Sequence, residues 1–442
     1  MLALLVPILI QTGITNFVSM LDNLMIGRTG TAQIAGVAVA NQILFVFMLC
    51  IFGLVSGAGV IGAQYYGRGD FDGFRNILRF KLTAVTVLTA AACVLFLTAG
   101  DFLIMRFIHE DDPSVRQAAL EYAGTYLRIS LVGLVPYGLS QALASTLRET
   151  GRSVLPMIAG LCAVAVNLFL NFLLISGRLG APALGVAGAA IATVASRYVE
   201  LGIIAVCVAA GRKRYPFMRG ALKTLRVPGA LVREILIRSL PLVFNETMWA
   251  LGMTVIARLY SLRGLDVVTA YNIETTFFNL FFVAFQSAGS AAGILVGQRL
   301  GAGEMEEAKD DARKMIAFSF ALSIVIGAAF AALSGVIPGL YNVGDDVRSL
   351  ASSLMLICAV TLPLEAVVNE LYFIIRSGGR VAITIIFDSG ISWVVLVPAV
   401  SLLVRFSPLS VPWIFFVDRA LSLVKMIIGI IMFRHGKWRR RI

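Results

Sequence analysis

Apolar runs about as long as a bilayer is thick recur along the whole chain, and this fixes the class of fold before any motif is read. Twelve such runs lie near 1–26, 32–63, 77–99, 117–147, 154–176, 184–211, 234–261, 267–297, 315–337, 347–375, 381–404 and 410–433. In lipid each backbone N–H and C=O must be satisfied within its own segment, so runs of this length fold as helices. The chain therefore reads as an all-α polytopic membrane protein. With 59% hydrophobic and 14% charged residues and a mean hydropathy of +0.88, a soluble multidomain protein is excluded.

The net charge of +12 would suggest nucleic acid in a soluble protein, but its distribution here sets topology instead. With both termini placed inside, 25 Lys and Arg fall on inner segments, 7 on outer ones and 5 within helices. An even number of spans and two cytoplasmic termini agree. The basic segment 212–233, broken by Pro216 and Pro228, is then a cytoplasmic linker between a half at 1–211 and a half at 234–442. Orientation alone explains its charges, although anionic lipid is a second use for them. Cys50, Cys93, Cys162, Cys207 and Cys358 stand singly in apolar helices and read as packing residues. The first span has no basic flank, is longer than a signal core and carries Asp22, so no cleavable signal is expected.

Charged and amide side chains inside such spans are costly and usually have a task. Glu246 heads the set. Counted from Arg238 it lies roughly 12 Å deep, and Leu242, Trp249 and Met253 share its helical face. That face joins a carboxylate to an aromatic that attracts organic cations; a Glu merely held by a neighbouring helix is the plainer reading. Glu365 lies roughly 16 Å from Arg376 and Asp388 roughly 12 Å from Arg380, depths similar to that of Glu246. Thr361, Glu365, Asn369 and Tyr372 align on the tenth span; Thr384, Asp388 and Ser392 on the eleventh. Glu274 and Asp418 lie further out, and Asp418 can pair with Lys425.

In the first half, Gln11, Thr15, Val18 and Asp22 share a face, and Asn167 and Asn171 stand four apart, either to hold a cation or to bond two helices. Arg197 and Glu200 read as an internal pair. On the eighth span Tyr271 lies near the outer end, and Phe278, Phe281, Phe282 and Phe285 form a broad face that meets either substrate or packing neighbours.

An internal repeat organises these parts. The ending of the second span, with Gln64, Gly67, Gly69 and Asp70, returns as Gln298, Gly301, Gly303 and Glu304 at an offset of 234, as does Pro7 at Pro241. Arg148 to Arg152 returns at Arg376 to Arg380 with an offset of 228. Six spans per repeat is even, so the halves are expected to be two six-helix lobes related by a pseudo-twofold axis along the membrane normal. Transporters built this way bind substrate between repeats.

These residues carry a resemblance to the multidrug and toxic compound extrusion (MATE) family of antiporters, extending over all twelve spans. The most specific parts are Asp22 to Gly27, the doubled Gln-x-x-Gly-x-Gly-acid endings, Leu147 to Gly151, and Pro241 with Glu246. The resemblance implies alternating access and export of cationic amphipathic compounds against inward H⁺ or Na⁺. It matches Asp22 and Asn167 to the first-lobe polar site, and Glu246 and Glu365 to the second-lobe acids. Asn171 stands where some members carry a second first-lobe Asp, which shifts weight toward the second lobe.

The sequence therefore reads as a secondary active multidrug efflux antiporter of a bacterial inner membrane, a monomer with no catalytic chemistry and no cofactor beyond the transported H⁺ or Na⁺. Its partners are small organic cations and membrane lipid, not nucleic acid. Glu246, Glu365, Asp388, Asp22, Asn167 and Asn171 are expected to couple the cation, with any Na⁺ at Glu246 and Glu365. Trp249, Tyr271, Phe278, Phe281, Asn369 and Tyr372 are expected to contact substrate. No Gly-x-x-x-x-Gly-Lys-Ser/Thr loop is present, so a P-loop ATPase is absent from this chain. The alternative is a lipid-linked saccharide flippase of the same superfamily, which would need Arg and Lys for a pyrophosphate where acids, amides and aromatics are expected here. A channel does not explain buried acids in both halves.

Overall fold

The computed structural model describes residues 2–27, 30–107, 113–211, 215–218, 220–341, 343–379, 384–436 and 438–439. Several loop positions used to argue topology, among them Arg28, Arg212, Lys213, Arg380 and Arg441, lie outside them. All regular structure among the described residues is helical. In the first half the helices are α1 (Leu2–Gly27), α2 (Thr31–Gly67), α3 (Phe71–Phe107), α4 (Pro113–Glu149), α5 (Val154–Leu174) and α6 (Val186–Ala210). In the second they are α7 (Gly229–Ser261), α8 (Leu265–Ala302), α9 (Met305–Leu333) and α10 (Asp345–Ser377). They continue as α11 (Ile386–Phe406), α12 (Val411–Ala420) and α13 (Ser422–Arg434).

Among the described residues, ten helices are long and apolar enough to cross a bilayer. The sequence count of twelve adds α1, whose apolar stretch is Leu2–Val18, and the last span, which breaks at Leu421 into α12 and α13. Twelve spans stand. Bare Val87, Leu97, Val206, Val325, Val360 and Val394, each more than 60% exposed, are what helices present to lipid rather than water. Pro7, Pro136, Pro241 and Pro363 sit inside helices, as spans packed against neighbours tolerate. The eleventh span begins with two π-helical stretches, Ile386–Gly390 and Ser392–Leu396, wider turns that recur at functional sites.

The chain divides into two compact units: Leu2–Gly62 with Asp70–Ser239, and Ala63–Gly69 with Leu240–Ile442. In the first, α4 packs on α3 and α6, and α5 on α1 and α6. Lys81 on α3 forms an ion pair with Glu149 on α4, and both side chains are buried. Ser145 donates to Glu149 at 2.5 Å. Glycines on α2 make the room for this carboxylate, since a Cβ at Gly59 or Gly62 would meet it.

The segment between the halves docks on the first unit rather than standing free. Phe217 and Ala221 are buried, Phe217 meets Phe74 edge-on at 5.4 Å, and Arg79 donates to the carbonyls of Ala221 (2.7 Å) and Gly220 (2.9 Å).

In the second unit α10 is central, touching α8, α9, α12 and α13. The last turn of α2 belongs here. Gln64 donates to the Ser377 carbonyl at 2.9 Å, Gly67 lies against the backbone of Gln298, and Gly301 against the backbone of Gln64. The doubled sequence motif is thus one crossing in which each glycine admits the other copy's glutamine, a packing that any side chain would obstruct.

Candidate functional site

Polar clusters interrupt the apolar interiors of both units. In the second unit α7, α10, α11 and α13 converge on a chain of hydrogen bonds. Tyr372 donates its hydroxyl to Glu246 Oε1 at 2.9 Å, and Asn245 Nδ2 donates to Tyr372 (3.3 Å) and to Asp388 Oδ2 (3.0 Å). Lys425 Nζ bonds Asp388 Oδ1 at 2.9 Å. Ser389 donates to the Asn245 side-chain oxygen at 2.6 Å, which fixes the amide with its nitrogen toward Asp388. Asp388 and Ser389 lie in the first π-helical stretch. Arg376, one turn beyond Tyr372, sits over the rings of Phe373 (4.1 Å) and Tyr372 (5.1 Å) and acts electrostatically on Glu246.

This differs from the sequence expectation in three ways. Glu246 is joined through Tyr372 and Asn245 to Asp388, not to Glu365, whose Oε1 instead accepts from Ser422 at 2.6 Å. Tyr372, which meets Glu246, lies two helical turns inward of Glu365, so the two acids do not share the depth that the count expected. Second, Lys425 pairs with Asp388, while Asp418 accepts from Tyr260 at 3.3 Å. Helical spacing suggested the intrahelical pair, but the break at Leu421 and packing against α11 decide otherwise. Third, basic groups do stand at the depth of the acids.

A separate outer cluster holds Glu274, fully buried, with Arg419 at 3.5 Å and the Cys358 thiol donating to it at 2.7 Å. Arg419 acts electrostatically on Glu365 and Asp418 as well. Cys358 is therefore part of a polar cluster and not only a packing residue.

The expected substrate aromatics divide. Tyr271 is buried and stacked on Tyr260 at 5.2 Å. Phe278 is buried, stacks on Phe282 at 5.3 Å and lies beneath Arg419 at 4.7 Å. Phe281 packs on Phe330 at 5.1 Å. In this structure these rings pack within the interior of the unit, Tyr271 and Phe278 both buried. Asn369 donates to the Phe285 carbonyl at 2.7 Å, tying α10 to α8. Trp249 is different: it is 39% exposed, one turn from Glu246. The indole of Trp393, missed in the sequence, braces the same stretch by donating to the Met248 carbonyl at 2.9 Å.

In the first unit Asn171 donates to Asp22 Oδ1 at 2.6 Å and to Asn167 Oδ1 at 3.2 Å. With its amide nitrogen turned toward Asp22, Asn167 donates to both Asp22 oxygens at 3.1 Å; with the amide reversed it donates to Thr193 at 3.4 Å and accepts from Asn171. Asp22, Asn167 and Asn171, far apart in sequence, thus meet. Arg197 lies within electrostatic reach of Asp22, approaches Glu200 at 3.5 Å and covers Tyr137 at 4.9 Å.

The family model for MatE matches residues 7–173 and 241–401. Multidrug resistance protein MdtK of Edwardsiella ictaluri is 28% identical over 371 residues, covering 81% of this chain and 77% of that protein. Among solved structures, an outward-facing multidrug resistance MATE family transporter of the MOP superfamily has a TM-score of 0.89 at 19% identity, over 99% of this chain and 94% of that one. A MOP superfamily transporter from Pyrococcus furiosus, described as having a binding pocket of reversed polarity that suggests a different function, has a TM-score of 0.86 at 18% identity, over 99% and 96%. At these identities the structural matches carry the fold: twelve helices.

Proposed function

The chain belongs to the MatE family, a multi-pass membrane transporter family, and on that premise we propose that it is a secondary active multidrug efflux antiporter of a bacterial inner membrane. It exports small, singly charged amphipathic cations by alternating access in exchange for H⁺ or Na⁺, with both termini cytoplasmic, as a monomer bathed in lipid. The observation that carries this reading is the bonded chain Glu246–Tyr372–Asn245–Asp388–Lys425 inside an otherwise apolar unit. A half-buried carboxylate there can take up a proton or an organic cation, and the two compete for one negative charge. Trp249, exposed one turn away, offers an aromatic face to the cation. Asp22 with Asn167 and Asn171 supplies a second, weaker carboxylate site in the other unit.

The flippase reading gains something from Lys425, Arg376 and Arg419, but Lys425 faces Asp388 and Arg419 faces Glu274. An anionic pyrophosphate would have to displace those carboxylates, so the cation reading is preferred. The test is transport of a fluorescent organic cation in proteoliposomes under separately imposed H⁺ and Na⁺ gradients. Gradient-driven movement is expected; none under either gradient would refute antiport.

A further inference from the structure

We propose that Lys425 is the resident cation of the second-unit site and restricts it to protons, so that this transporter is driven by H⁺ and not by Na⁺. The inference rests on the antiport reading above and adds the identity of the ion.

Both oxygens of the Asp388 carboxylate accept a hydrogen bond, Oδ1 from Lys425 and Oδ2 from Asn245. Neither donor is free to turn away. Asn245 is held by Ser389, and the Lys425 side chain is 9% exposed, so its ammonium has little water to retreat to. Among the described residues, the charged or titratable groups that face Asp388 and Glu246 are, by element, Glu246 on α7, Tyr372 and Arg376 on α10, Asp388 on α11 and Lys425 on α13. Glu246 accepts from Tyr372 at one oxygen, and among the described residues nothing bonds the other.

A hard metal cation needs several oxygen ligands around it. Here Asp388 faces donors on both oxygens, Asn245 presents its nitrogen, and the fixed ammonium would repel an arriving Na⁺ across the same carboxylate. A proton needs no shell. It bonds to the uncommitted oxygen of Glu246, and its departure leaves a single negative charge for the cargo. Asp388 and Lys425 cancel, which leaves Glu246, with Arg376 acting on it, as the carboxylate that exchanges a proton.

The full-length protein is purified, and binding of radioactive Na⁺ is measured alongside drug transport in proteoliposomes, for wild type, Lys425→Met, Lys425→Arg, Asp388→Asn and Lys425→Met/Asp388→Asn. Wild type and Lys425→Arg should bind no Na⁺ above background and should transport with a H⁺ gradient alone. Lys425→Met should gain Na⁺ binding by about tenfold or more, a change of roughly 1.4 kcal/mol, and the double variant should lose it again. Na⁺ binding by wild type that Asp388→Asn removes would overturn the proposal, as would a folded Lys425→Met that gains none. If Lys425→Met does not fold, the wild-type and Lys425→Arg results decide. Because Na⁺ binding is read directly, absence of drug transport would sink the antiport reading and the H⁺ drive built on it, while the exclusion of Na⁺ by Lys425 is still decided by the binding data.

Discussion

The buried pair of Lys81 and Glu149 gives the sharpest test of how the first unit is held. Their side chains are 0% and 3% exposed, and the shared hydroxyl of Ser145 lies 3.2 Å from Lys81 and 2.5 Å from Glu149. Lys81→Met removes one charge and leaves the other carboxylate enclosed by α2, α3 and α4, with the α2 glycines packed against it. Breaking a buried pair from one side costs about 3–5 kcal/mol. At roughly 2–4 °C per kcal/mol for a domain of this size, the midpoint should fall by roughly 6–20 °C. Removing both charges, in Lys81→Met/Glu149→Gln, should recover much of that loss. Arg128 and Asp101 form the internal control: their pair is 68% and 75% exposed, and Arg128→Gln should shift the midpoint by no more than about 0–1 kcal/mol. Thermal unfolding followed by fluorescence-detected gel filtration reads all four proteins. If Lys81→Met melts within about 1 kcal/mol of wild type, where the exposed control belongs, the argument from burial is wrong.

Gly67→Ala places a methyl on the Gln298 backbone and should cost more than Gly69→Ala, whose added methyl meets nothing but whose φ is +77°; thermal midpoints rank the two, and equal losses would discredit the crossing. Glu246→Gln should abolish gradient-driven efflux in proteoliposomes, whereas Glu365→Gln, bonded to Ser422 off the Tyr372 chain, should retain a substantial fraction; the reverse order would move the exchange site outward. Trp249→Ala should weaken aromatic organic cations by roughly 0.5–2 kcal/mol in a binding titration, and unchanged affinity for every cation tested would reduce the indole to packing.

What was legible in the sequence follows from which forces act locally. Helices, their number and the doubled glycine motif depend on hydrophobic runs and fixed spacings, and these read directly. Asp22, Asn167 and Asn171 were legible as a set because polar residues at helical spacing inside apolar spans have few uses. Partner choice was not. Lys425 stands seven residues from Asp418, a spacing compatible with an intrahelical pair, yet its partner comes from α11, in a π-helical stretch that periodicity does not reveal. Glu246 and Glu365 seemed to share a depth because the count began at Arg238 and Arg376, although α7 runs inward of Arg238 to Gly229. Phe278 and Tyr271 read as a substrate face because spacing shows a stripe but not what lies opposite, which here is Arg419 and Tyr260.

The repeat itself explains why one half's site does not predict the other's. At the 234-residue offset Gln11 corresponds to Asn245, and at 228 Arg148 corresponds to Arg376. Gln11 bonds Arg148 at 2.8 Å and abuts Gly160, the counterpart of Asp388. A scaffold position holding a neutral amide against a glycine in one half therefore holds an amide against a carboxylate and its lysine in the other. In the same registers Glu246 falls on Thr12, Asp22 on Ile256, Lys81 on Met315 and Glu149 on Ser377. Duplication supplies matching helices and crossings, while charge, which needs a partner on another helix to be tolerated in lipid, was placed differently in each copy. The two polar sites are thus separate constructions on one repeated frame, and substitutions in them should act independently unless a motion of the helices links them.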